Sequence, residues 1–159
     1  MNGICSIQTS NLKGEIRFHQ CCSNSPTKVS INITGFNPNQ THAIHIHEYG
    51  NITSCMKAGG HFNPKNKKHG FYLWDGKNRH AGDLINNITS DRYGNVKIEF
   101  EDNLISLFPN DFCVIGRSVV IHEKKDDLGR GGNPESLITG NAGGRMVCAV
   151  IGIDKPEHF

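Results

Sequence analysis

The chain has 159 residues, a formal net charge of +2 and 36% hydrophobic residues, which suits one domain spanning 1–159 with a real core. Its basic residues form no run longer than the pairs Lys67-Lys68 and Lys124-Lys125, so the basic stripe of a nucleic-acid-binding protein is excluded. No stretch reaches the roughly 20 apolar residues of a membrane span, and residues 1–10 lack the basic start and apolar run of a secretory leader. A cytoplasmic protein with no membrane or nucleic-acid partner is expected.

Taken in chain order, the regular segments alternate with period two. After a first strand at 4–8, Ile16 and Phe18 alternate with Arg17 and His19, and Val29, Ile31 and Ile33 with Ser30, Asn32 and Thr34. The pattern returns at Ile44 and Ile46, at 84–89, and at Val96, Ile98 and Phe100, and more apolar runs fill 113–121 and 146–153. Eight candidate strands result, separated by turns such as Phe36-Asn37-Pro38-Asn39, with no helical stripe lasting three turns. The predicted fold is all-β, an antiparallel barrel or sandwich.

Two connections, about 49–82 and 123–145, are far longer than hairpin loops. They are the chemically rich part of the chain, holding His61, His69, His80, Asp83 and Arg145, while strand ends supply His45, His47 and His122. In the segment His42-Ala43-Ile44-His45-Ile46-His47, alternation puts His45 and His47 on one face and leaves His42 on a separate, ordinary polar footing. His61, His69, His80 and Asp83 offer three imidazoles and a carboxylate, the donor set of a closed tetrahedral zinc shell. His122 joins His45, His47 and one loop histidine in an all-nitrogen set suited to Cu(II). The six cysteines (Cys5, Cys21, Cys22, Cys55, Cys113, Cys148) are irregularly spaced without a CxxC, which leaves the redox reading open at this stage.

Several strings, in order, resemble copper/zinc superoxide dismutase: Ile46-His47-Glu48-Tyr49-Gly50, Gly59-Gly60-His61-Phe62-Asn63-Pro64, Arg79-His80-Ala81-Gly82-Asp83-Leu84, Ile115-Gly116-Arg117-Ser118, and Gly140-Asn141-Ala142-Gly143-Gly144-Arg145. The resemblance runs nearly end to end and implies an eight-stranded Greek-key barrel, normally a homodimer. By position it implies copper on His45, His47, His61 and His122, and zinc on His61, His69, His80 and Asp83, with His61 bridging the two. It implies that Asp126 hydrogen-bonds His45 and His69, that Arg145 binds the anion beside the copper, and that Cys55 pairs with Cys148. A bond closing roughly 90 residues is worth on the order of 4 kcal/mol by chain entropy. The implied activity converts superoxide to O2 and hydrogen peroxide by alternate reduction and oxidation of copper, with His61 moving a proton. Copper chaperones, inactive decoys and metal-storage proteins on this fold are the rival reading. Relatives of those first two kinds usually lack copper ligands or the arginine, and this chain keeps all of them.

Three departures from the family pattern stand out. Residues 70–79 form a longer stretch between His69 and His80 and carry Phe71, Tyr72, Leu73 and Trp74, read either as packing for the loop or as a contact surface. Pro134 and Ile138 stand where charged residues are common, so weaker electrostatic guidance of the anion is expected. Gly143-Gly144-Arg145-Met146 has no proline, a pattern that goes with copper loading independent of a chaperone.

Overall fold

The computed structural model describes residues 1–156. Among them are nine strands: β1 Asn2–Gln8, β2 Lys13–His19, β3 Thr27–Thr34, β4 Thr41–His47, β5 Asn87–Thr89, β6 Val96–Asp102, β7 Ser118–His122, β8 Arg145–Val150 and β9 Gly152–Asp154. They form two antiparallel sheets, β6-β3-β2-β1-β9 and β5-β4-β7-β8. The all-β expectation holds.

Alternation does the building. In β3, Val29, Ile31 and Ile33 are buried while Lys28, Asn32 and Thr34 face solvent, and the opposing β2 contributes Ile16 and Phe18 to the same core. The second sheet supplies Ile44, Ile46, Val119 and Ile121. The β4 and β7 strands are also covered on their other face, since the long loops lie over it. That second burial explains why His45, His47 and His122 sit out of water although they point away from the apolar core.

Three local expectations are corrected. The run 146–153 is two strands interrupted at Ile151, which gives nine strands instead of eight. Of the run 113–121 only the part from Ser118 on is strand, continuing to His122, because Gly116 turns the chain with φ 85°. Of 84–89 only Asn87–Thr89 is strand, since Leu84 (φ 47°) and Asn86 (φ 66°) adopt left-handed backbone. The single turn of helix α1 Ser136–Thr139, in the second long loop, is in keeping with the absence of a three-turn helical stripe.

The first long loop is fastened to β4 at Ile46. Phe62 donates its N–H to the Ile46 carbonyl at 2.8 Å, and Gly82 packs so tightly that a Cβ there would lie 2.1 Å from the same oxygen. Farther back the loop is tied by the disulfide between Cys55, in a short 3-10 turn (Cys55–Ala58), and Cys148 on β8, with Cα atoms 5.6 Å apart. Cys5, Cys21, Cys22 and Cys113 are free thiols.

Candidate metal centre

Folding brings the predicted residues into two clusters that share His61: His45, His47, His61 and His122, and His61, His69, His80 and Asp83. All are buried, and within each cluster the candidate ligand atoms lie within 4.8 Å of one another. His61 reaches the first cluster because its backbone bridges to that of His47, the last residue of β4.

The hydrogen bonds fix which nitrogen of each ring is free. The His45 Nε2 donates to Asp126 Oδ2 at 2.7 Å, so its Nδ1 keeps a lone pair, and that atom is buried with no partner. The His47 Nδ1 donates to the Gly59 carbonyl at 2.8 Å and the His122 Nδ1 to the Gly143 carbonyl at 3.3 Å. Their Nε2 lone pairs then face each other at 3.3 Å. The His61 Nε2 is the other buried ring nitrogen without a partner. Lone pairs aimed at one another in a dry space repel, and a cation among them removes the conflict. The first cluster therefore fits copper through His45 Nδ1, His47 Nε2, His61 Nε2 and His122 Nε2, an all-imidazole donor set.

In the second cluster, Nδ1 atoms of His61, His69 and His80 surround Asp83 Oδ1 at 3.1, 2.7 and 3.1 Å. Because His69 Nε2 already donates to Asp126 Oδ1 at 2.8 Å, Nδ1 is the nitrogen that can ligate, a metal taking the place of the proton it shares with Asp83. The other oxygen of Asp83 accepts the backbone N–H groups of Gly70 and His80 at 3.0 and 2.9 Å, which orients the carboxylate. Three nitrogens and one oxygen suit tetrahedral zinc.

Electrostatics follows burial. Desolvation, with the His122 ring adding to it, holds His45 well below the ordinary imidazole range. Burial, then the His61 ring and the Arg145 charge, bring His47 down to about 2, and burial takes His122 to about 4. Burial followed by the His45 ring depresses His61 in the same direction. These rings are neutral at physiological pH, the form that binds metal. For His69, burial works downward, but hydrogen bonds with Asp126 and Asp83 outweigh it and lift the ring to about 9. Burial works upward on Asp83, yet hydrogen bonds from His61, His69 and His80 hold its carboxyl well below the usual carboxylate range.

Asp126 joins the halves, touching His45 with one oxygen and His69 with the other. Asn86, which drew no attention in the sequence, holds it there: its Nδ2 donates to Asp126 Oδ2 at 3.2 Å and to the Gly70 carbonyl at 2.9 Å. The only sequence signal for Asn86 is its closeness to Asp83, since a buried left-handed asparagine has no periodic signature. Asn87 grips the Asp126 backbone on both sides. His42 belongs to neither cluster; its ring stacks on Phe36 and its Nδ1 donates to the His122 carbonyl at 2.9 Å.

Arg145 faces His122 across the β7 and β8 pair, at a register irregularity, and its Nη1 donates to the Cys55 carbonyl at 2.8 Å. The aromatic run divides between the two readings. Phe71 and Tyr72 pack, Tyr72 by edge contact with Phe100 and a hydrogen bond to the Glu101 carbonyl, whereas Leu73 and Trp74 are 70% and 72% exposed. Arg130 from the second long loop lies 4.9 Å over the Trp74 ring and 5.6 Å over Phe71.

Fold and site together define a β-sheet metalloprotein with two adjoining ion sites that share one histidine. The family model for copper/zinc superoxide dismutase matches residues 12–151. A superoxide dismutase [Cu-Zn] of Talaromyces marneffei is 50% identical over 145 residues, covering 91% of this chain and 92% of that one. Superoxide dismutase [Cu-Zn] 5 of Dictyostelium discoideum is 44% identical over 156 residues, covering 98% and 99%. Among solved structures, a crystal structure of the clock protein EA4 is similar with a TM-score of 0.88 and 40% identity, over 96% of this chain and 94% of that one. The chain belongs to the copper/zinc superoxide dismutase family.

Proposed function

We propose that the protein is a superoxide dismutase in which His45, His47, His61 and His122 hold copper and His61, His69, His80 and Asp83 hold zinc. The observation that carries this reading is the shared His61, whose Nε2 is left without a partner in one cluster while its Nδ1 faces the zinc-type donors of the other. Copper, when bound, supplies a one-electron couple that can take an electron from one superoxide and give it to the next, and zinc fixes the shared ring.

The chain's own residues supply the rest. The Arg145 guanidinium binds the small anion by charge-assisted hydrogen bonding, its second edge being anchored on the Cys55 carbonyl. The His61 Nε2 is the position where a proton can be held and handed to the reduced product while Nδ1 stays engaged. Asp126 keeps His45 and His69 in the tautomers that ligation needs. Metal-loaded protein should consume superoxide and yield one O2 and one H2O2 for every two, whereas the metal-free chain should not. A loaded protein that binds both ions without turnover would favour the storage reading.

We further propose a homodimer and a single domain over 1–159. The dimer reading is supported by exposed Tyr49, Ile52 and Ile153, the first and last 54% and 73% exposed. Mass in solution tests it. A cytoplasmic location is part of the same reading; separately, no helix among the described residues is long and apolar enough to cross a membrane. Copper loading without a chaperone rests on Gly143-Gly144-Arg145-Met146, and active protein from a chaperone-deficient host is the expected result.

A further inference from the structure

Outside the metal centre, the two arms of the first long loop flank a cavity of about 260 Å³. Residues 63–67 form one arm and 77–81 the other, so the cavity lies against the outer side of the segment that carries His80. Its chemistry is two-sided. Pro64, Ala81, Leu104 and Phe112 make an apolar floor, whereas Lys65, Lys67, Lys77 and Arg79 bring four cationic side chains to the same space.

These cations differ in how far they are already satisfied. Lys65 pairs with Asp111 at 2.7 Å and lies 5.5 Å over the Phe112 ring. Arg79 is 4% exposed and gives Nη2 to Asp102 at 3.0 Å, but its Nε is a buried donor with no partner among the described residues. Lys67 and Lys77 have no ion-pair partner among those residues, and the Lys67 backbone is held in place by both side-chain ends of Asn63. The unanswered lysines select for anionic oxygens, and an aromatic side chain beside an apolar floor selects for a flat ring.

We propose that this cavity binds a planar ring carrying a phosphate, of about nucleoside monophosphate size. The ring lies against Phe112 and Leu104, and the phosphate is held by Lys67 and Lys77. The volume, about 260 Å³, lies just under the roughly 300 Å³ at which ligand pockets usually begin, which favours a ligand no larger than a monophosphate. A ligand there would join the two arms of the loop around the zinc-type ligands.

The test is calorimetric titration of the metal-loaded protein with adenosine 5′-monophosphate, adenosine and inorganic phosphate in turn. The monophosphate should bind saturably at one site per chain, with adenosine and phosphate each at least about 10-fold weaker. The double variant Lys67→Gln, Lys77→Gln should lose about 10-fold for the monophosphate, and Phe112→Ala should weaken the monophosphate but not phosphate. Superoxide removal should be unchanged in both. Monophosphate binding no tighter than phosphate, or binding equal in wild type and both variants, would mean diffuse attraction to a basic surface and would overturn the proposal.

Discussion

Arg145 donates from Nη1 to the carbonyl oxygen of Cys55 at 2.8 Å, and Cys55 is joined through sulfur to Cys148 on the same strand as Arg145. The disulfide thus holds the loop carbonyl that aims the guanidinium. Replacing Arg145 by Ala should lower kcat/KM for superoxide about 100-fold, the usual loss of a charge-stabilising donor, with copper and zinc content intact by mass spectrometry. Cys55→Ser should lower activity in the same direction through loss of aim. Unchanged turnover in Arg145→Ala would remove it from the reaction.

Gly140 closes over the hydrogen bond between His69 and Asp126. It has φ 68° after α1, and a Cβ there would lie 2.4 Å from Asp126 Oδ1 and 2.6 Å from His69 Nε2. Gly140→Ala should therefore displace the carboxylate and weaken zinc about 10- to 100-fold, read by competition with a chelator. Asp126→Ala should weaken both ions, since each half loses an orienting partner.

Trp74 and Phe71 clasp Arg130 of the other long loop, and Arg130 also reaches Asp75 at 3.5 Å. Exposed contacts of this kind are worth about 0.5–1 kcal/mol, so Trp74→Ser should speed zinc release about 2- to 5-fold without changing mass in solution. A change in mass would instead mark Trp74 as an interface residue.

Thiol reactivity should divide by environment. Burial pushes the Cys5 thiol up to about 12, whereas Cys22 is exposed and its thiol is lowered from the usual value, chiefly by the Asn24 backbone and the Ser25 side chain. At pH 8, iodoacetamide should label Cys22 quickly and leave Cys5 unmodified in the folded protein, as read by peptide mass spectrometry. For stability the sign is as follows. Cys5 titrates near 9.0 when unfolded and about 12 when folded, so its contribution is full below pH 9 and is lost as pH rises toward 12. Rapid labelling of Cys5 would contradict the packing.

The sheets were legible because their faces differ sharply: Val29, Ile31 and Ile33 against Lys28, Asn32 and Thr34 admit one reading. So were the histidines, whose side chains carry their chemistry wherever the fold puts them. Strand ends were less so, since the left-handed backbone at Leu84 and Asn86 depends on tertiary contacts that periodicity does not encode. Asn86 escaped for the same reason, and the division of the aromatic run depends on Arg130, 56 residues after Trp74.

The shared histidine is the centre of the account, and anomalous X-ray diffraction of the copper- and zinc-loaded protein, recorded at both metal edges, examines it directly. It should place a copper peak within bonding distance of His45 Nδ1, His47 Nε2, His61 Nε2 and His122 Nε2. A separate zinc peak should lie about 2.0 Å from the Nδ1 atoms of His61, His69 and His80. Both metals mixed at one position, or His61 bound to neither, would contradict it.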